Sequence, residues 1–203
     1  MNEQIIENYL KDAIESFRSY KKLAEKAMVQ VSDEEFFEAI DAEANSIATI
    51  TKHIAGNLRS RWTDFLTSDG EKADRFRDAE FVAFDEESRE KLMEFWENSW
   101  QTLFDAIEPL TVEDFAKKIT IRGEPHTICE AINRQLTHYA YHIGQIAFLA
   151  KHFRASDWKT LSVPRNKSAD FNAYLTEKQK AGSEKLSRFE VPMEFAEQAS
   201  LEE

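Results

Sequence analysis

The sequence is poor in the residues that staple or punctuate a chain. It holds one cysteine, Cys129, among 203 residues, so no internal disulfide can form, which suits a reducing cytosol. Only four prolines and five glycines are present, which excludes the fibrous and low-complexity classes rich in both. No run approaches the ~18 apolar residues of a membrane span. The opening MNEQIIENYLKDAIESF carries charges every few residues and no apolar signal core. The expectation is a soluble, cytoplasmic protein without membrane association. Basic charge is scarce too: 26 Lys and Arg stand against 38 Asp and Glu, a net charge of −12. That field repels phosphate backbones, so nucleic acid is excluded as a partner, as are anionic membranes. A small local basic patch for an anionic ligand is still compatible with it.

What the chain has is helical periodicity. From about Asn2 to Val29, apolar residues recur at Ile6, Leu10, Ala13, Ile14, Phe17, Tyr20, Leu23, Ala24 and Ala27, which predicts a long amphipathic helix. VSDEEFF breaks the pattern, with Ser32 or Asp33 able to cap a short turn. A second long helix is expected over Ala42–Leu66, its apolar face running Ile47, Ile50, Ile54, Leu58, Trp62, Phe65. The polar stretch Thr67–Phe81 reads as a loop. A third helix should run from about Glu86 to Ile107 and stop at Pro109, since proline disfavours helix in the residue before it. KKITIRGEPHTI has strand character, with a turn over Gly123–Pro125. Thr127 with Glu130 forms a capping box that starts a fourth helix, Ile128–Phe153.

Four long amphipathic helices predict an all-α four-helix bundle, with at most a short β-hairpin before the fourth helix. Residues 1–153 form that domain. Residues 154–203 form an arm packing on it, polar and loose beyond about Tyr174. Trp96, Trp100 and Phe104 on the third helix offer more apolar surface than one core needs, which predicts a homodimer helped by the arm around Trp158.

The chemistry sits in the histidines. His138 and His142 are four apart on the fourth helix and differ by only about 40° of arc, so both can reach one cation. Two such histidines are more often hydrogen-bonded core or surface residues, and no Glu follows the first to make the H-E-x-x-H zinc-protease pattern. His53 on the second helix, beside the small Gly56, supplies a third nitrogen. Three imidazoles suit zinc, nickel, iron or manganese, with zinc and nickel the leading candidates, and leave positions for water or substrate. Protons compete for the same nitrogens, so occupancy is expected to fall in mildly acidic buffer. His126, read as lying in a turn, and His152, about 80° off the His142 direction, do not join the set easily.

The blocks ITKHIAGNLRSRWTDFL and HTICEAINRQLTHYAYHIGQIAFLA resemble the DinB/YfiT-like superfamily of metal-binding four-helix bundles. They resemble most a branch that also carries SDGEK after the second helix and WKTLSVPRNKSADFN after the fourth, over roughly residues 1–174. The resemblance implies that His53, His138 and His142 are the metal ligands and that dimers are common. Some members are thiol-dependent S-transferases or isomerases using low-molecular-weight thiols. The expected function is a metal-dependent transferase or hydrolase acting on a small electrophile; the alternative is a non-catalytic metal- or ligand-binding bundle. Asn57, Arg61, Arg134 and Gln145 lie one or two turns from the histidines, or beside them, and are candidate substrate contacts. For the two arginines the competing reading is a surface or interhelical salt bridge. Cys129 reads as a small buried hydrophobe rather than a nucleophile.

Overall fold

The computed structural model describes residues 3–82 and 88–182. Six helices are present among them: α1 Glu3–Met28, α2 Asp33–Phe37, α3 Ile47–Trp62, α4 Arg89–Ile107, α5 Ile128–Arg154 and α6 Ser168–Lys180. The strands β1 Lys118–Ile121 and β2 Glu124–Thr127 form one antiparallel hairpin. The all-helical expectation therefore fits, with the hairpin as its small exception.

Helix limits follow side-chain caps. Ser32 makes a full capping box with Glu35 at the start of α2. α3 begins at Ile47 rather than Ala42 because Ser46 accepts the Thr49 amide, while Asp41 accepts the Glu43 amide and holds the preceding residues in a turn. It ends at Trp62 rather than Leu66: Thr63 is extended, and Asp64 lies in the left-handed region at φ 47°. The start of α4 follows Ser88, which accepts the Lys91 amide; the expected start at Glu86 falls outside the described residues. Its end two residues before Pro109 is as expected. Thr127 and Glu130 form the predicted box at the head of α5.

The hairpin turn is Arg122–Gly123, both at positive φ, the combination a two-residue turn requires. Pro125 lies in β2 opposite Thr120, so the turn is not at Gly123–Pro125. Asp69 secures this turn from 50 residues away. Its carboxylate accepts the amides of Arg122 and Gly123, each at 2.8 Å, and also that of Glu71. The Gly70 amide donates to Thr120 at 2.8 Å, so SDGEK is a clasp on the hairpin rather than a free turn.

α1 packs mainly on α5, and α3 mainly on α4, with α3 and α5 also meeting each other. The predicted apolar faces point inward: Ile47, Ile50, Ile54, Leu58, Trp62 and Phe65 of α3 are all buried. Trp96 and Trp100 are fully buried as well and fill this core, whereas Phe104 is only partly buried. Phe17 meets Trp100 and Tyr139 edge-on or tilted, with centroids 6.4 and 5.9 Å apart. Beyond α5, Trp158 and Leu161 pack against the core, and Gln30 and Lys159 exchange two hydrogen bonds. Within the arm, α6 is a helix that the sequence did not suggest. It buries no residue, so it lacks the apolar stripe that would have revealed it, and it runs past Tyr174 to Lys180. The segment beyond residue 182 lies outside the described residues.

Trp96→Ala is expected to destabilise the protein by about 3–5 kcal/mol in urea unfolding, as an aromatic deletion in a close-packed core does. Ile5→Ala, at an exposed position of α1, should stay within about 0.5 kcal/mol.

Candidate metal centre

His53 leaves α3 toward α5 and meets His138 and His142, one turn apart there. One ring nitrogen from each lies within 4.8 Å of the other two. The His53 Nε2 and His138 Nε2 atoms are 3.3 Å apart. Ring centroids are separated by 5.3 Å (His53–His138), 4.8 Å (His53–His142) and 4.7 Å (His138–His142). The cluster contains no carboxylate or thiol among the described residues.

The outer nitrogens are held. Glu80 Oε2 lies 2.8 Å from His53 Nδ1, and both side chains are buried. Glu80 is itself gripped by Arg75, whose Nε and Nη2 donate to Oε1 and Oε2 at 2.8 and 3.0 Å. Burial works to raise the Glu80 pKa, but the hydrogen bonds from His53 and Arg75, with the Arg75 charge, outweigh it and hold the carboxyl below its usual range. An ionised carboxylate only accepts, so Nδ1 of His53 carries a hydrogen toward Glu80 and Nε2 faces the cluster. His142 Nδ1 lies 2.7 Å from Gln145 Oε1, and Gln145 Nε2 donates to the Tyr141 hydroxyl at 3.2 Å. With the amide in that orientation, Nδ1 of His142 is also the donor and its Nε2 is free. Partners on the outer nitrogen fix the ring and its tautomer in this way at metal sites.

Gly56 explains how Glu80 arrives. A Cβ there would stand 2.3 Å from Glu80 Oε1 and 3.0 Å from its Cδ. The small residue one turn past His53 thus admits the carboxylate, the close approach that its position suggested.

Burial pushes the His138 pKa down to about 3, with the neighbouring His142 and His53 rings adding to the shift. His142 is lowered too, again chiefly by burial. Both shifts favour neutral rings, the form that can bind a cation.

A cavity of about 560 Å³ opens beside the cluster. Asn57, Arg61 and Arg134 line it. Gln145 does not; it acts behind His142 instead. Asn57 is buried and accepts from the Tyr139 hydroxyl at 3.1 Å. Arg61 is neither a surface nor an interhelical pair: it is 6% exposed and bonded to Glu71 at 2.9 Å and to the Gly70 carbonyl. His126 lies in β2 rather than a turn and does not line the cavity, and His152 is exposed on α5. Tyr139 and Trp62 are core residues joined by a hydrogen bond of 3.3 Å, whereas Tyr141 is exposed at the cavity mouth. Cys129 is half-buried, and burial followed by the Glu130 charge pushes its thiol pKa up, in keeping with an inert role.

Sequence reasoning missed Glu80 and Arg75. They belong to Thr67–Phe81, read as an unstructured polar loop, of which Arg77–Phe81 is a short 3-10 helix packed on α3. Phe81 also packs on His53, centroids 4.9 Å apart. Gly56 was the signal that something approached α3 here, but not what.

A protein-family model, Protein of unknown function (DUF1572), matches residues 4–167. The chain belongs to the DUF1572 family. No curated protein and no solved structure matches it. This DUF1572 chain thus brings together three histidines that could hold a metal ion, and the helices of the matched region supply all three.

The depressed His138 pKa has a consequence for stability. Unfolded, His138 takes up its proton near ~6.5; folded, only near about 3. Between these values the unfolded chain binds more protons, so this group costs stability as pH falls through that window. Urea unfolding of chelator-treated protein from pH 7 to 4.5 should show a steeper loss for wild type than for His138→Phe. Equal slopes would mean that the ring is not held neutral by burial.

Proposed function

We propose that the four long helices form a DinB/YfiT-type bundle that binds one divalent metal, zinc or nickel foremost and iron or manganese as further candidates, through His53, His138 and His142. We further propose that the protein is an enzyme acting on a small electrophile, by thiol S-transfer or hydrolysis. The observation that carries this reading is the pairing of a three-imidazole cluster with an adjacent cavity of about 560 Å³. Three protein ligands leave coordination positions open, the arrangement of catalytic rather than structural sites. The donor set fits a metal: the Nε2 atoms of His53 and His138 stand 3.3 Å apart, and burial lowers the pKa of both His138 and His142.

A metal held by three neutral imidazoles keeps its full charge and supplies a nucleophile at neutral pH, by lowering the pKa of water toward ~7 or by favouring the thiolate of a low-molecular-weight thiol. The chain's own part is positioning. Glu80 and Gln145 fix the rings of His53 and His142, and Asn57, tied to Tyr139, presents its amide to the cavity. The alternative, a non-catalytic metal- or ligand-binding bundle, is favoured by a closed fourth ligand, and among the described residues the cluster includes none. The cytoplasmic location stays a proposal; no helix among the described residues is long and apolar enough to cross a membrane.

The homodimer also stays a proposal, on a different surface from the one expected. Tyr141 and Phe148 on α5 are 64% and 66% exposed, seven residues apart and so on one face. Light scattering at micromolar concentration should give twice the 23.6 kDa chain mass, and Phe148→Glu should shift it to one. A monomer mass for wild type removes the dimer.

Elemental analysis of protein purified without added metal should give about one divalent ion per chain. Replacing His53, His138 or His142 by Ala should cut affinity by well over tenfold in competition with a chelator, and His152→Ala should leave it unchanged. Glu80→Gln and Gly56→Ala should each weaken binding about 10- to 100-fold, the range seen for residues that orient metal-bound histidines, with the helical circular dichroism retained. If His53→Ala binds as tightly as wild type, α3 and α5 do not share the ion.

A further inference from the structure

A chain with an acidic excess of twelve charges gathers five arginines around one cavity. Arg61 comes from α3, Arg75 and Arg77 from the α3–α4 connection, Arg122 from the hairpin turn and Arg134 from α5. No Asp or Glu among the described residues lines the cavity. Two buried or half-buried carboxylates stand behind these arginines: Glu71, on Arg61 and Arg122 at 2.9 and 3.2 Å, and Glu80, on Arg75. They fix guanidinium groups in place without matching their number. Asp78 lies 3.6 Å from Arg77 but is fully exposed, where water and salt screen it. Arg134 has no acidic partner among the described residues.

Two orphaned atoms complete the pattern. Arg61 Nε is buried without a hydrogen-bond partner among the described residues, although its side chain is 95% buried and lines the cavity. Gln135, 2% exposed and lining the same cavity, leaves Oε1 without a donor. Buried polar atoms are almost always satisfied by protein, water or ligand, so an unpaired buried donor and acceptor on two side chains that line one cavity favour a polar molecule within it. The open donor lies on a guanidinium among other guanidiniums, whose planar forks match carboxylate and phosphate oxygens. The open acceptor asks for an O–H or N–H on the same ligand.

We propose that this cavity binds a small oxyanion, a carboxylate or phosphate that also carries an O–H or N–H donor. As the substrate class of the enzyme proposed above it rests on that reading, but anion binding itself needs only the arginine pocket. Arg61 and Arg134 take the oxyanion, Gln135 Oε1 takes the donor, and the rest of the molecule lies beside the histidines. The acidic exterior lets the pocket act as a local exception, concentrating an anion where the net charge alone would repel it.

The test uses the full chain, chelator-treated and in low-chloride buffer, titrated calorimetrically with inorganic phosphate, glycolate and acetate. Phosphate or glycolate should bind saturably, one per chain, and which is tighter distinguishes the two sources of oxyanion. Glycolate should bind more tightly than acetate, because only glycolate has a hydroxyl for Gln135. Arg134→Gln should weaken binding about tenfold, the loss of one charge-assisted hydrogen bond, and Arg165→Gln, the same charge change outside the cavity, should not. Arg61→Gln should abolish binding, but its buried pairing with Glu71 makes Arg134→Gln the deciding variant. No saturable binding, or binding indifferent to Arg134→Gln, overturns the proposal. Anion binding that requires added metal and ignores Arg134→Gln also overturns it while leaving the metal site standing. Arginine-dependent binding by a protein that takes up no metal supports the pocket and removes the metal reading.

Discussion

The site depends on one buried carboxylate. Glu80 sits between His53 and Arg75, and each contact needs the other. Alone, an ionised carboxylate in this position would carry a desolvation penalty of several kcal/mol. Flanked by a guanidinium and an imidazole N–H, it stays charged and turns the His53 ring so that Nε2 faces α5. Remove Arg75 and burial would favour protonation of Glu80; remove Glu80 and nothing sets which nitrogen His53 presents. The carboxylate therefore orders the centre from behind, without being part of the cluster.

The second half of the centre is built more locally. His138, His142 and Gln145 belong to one helix, so their relation is fixed by helical geometry and by the capping box that sets where α5 begins. The two halves meet because α3 and α5 pack against each other across a core containing Ile54, Leu58 and Tyr139. Tyr139 lies beside His138 in sequence and is fully buried. Its hydroxyl ties Asn57 and Trp62 of α3 to α5, so the polar cluster and the apolar core are braced by the same pair of helices.

The parts legible in the sequence were those governed by periodicity or by local hydrogen bonds. Whereas the joining of His53 to the α5 pair was implied by the family resemblance, the four long helices, the caps at Ser32 and Thr127, and the shared face of His138 and His142 all follow from spacing. So did the cavity positions of Asn57, Arg61 and Arg134, because residues one or two turns from a histidine share its face. The ends of α3 were misplaced because Ser46 and Asp64 act through individual hydrogen bonds and a left-handed backbone, which apolar spacing does not register. α6 was missed because it has no buried stripe. Glu80 and Arg75 were missed because a polar connection has no period, and its partners lie about 20 to 30 residues earlier in the chain. Composition counts aromatic residues without saying which way they face: of the three on α4, Trp96 and Trp100 are fully enclosed and only Phe104 is partly exposed.

The clasp between Asp69 and the Arg122–Gly123 turn bears on how the molecule comes together in time. Its hydrogen bonds span more than 50 positions, and the His53–His138 approach spans 85. Closing such long loops costs chain entropy that is regained only when the distant contacts form. The helices, by contrast, form through neighbours in sequence. The order of assembly that follows is helices first and the long-range contacts after them: the clasp, the histidine approach and the α1–α5 packing, whose Tyr9–Asn133 hydrogen bond spans 124 positions. Pulse-labelling of backbone amides during refolding would show this as late protection at Gly70 and Arg122, and early protection along α5.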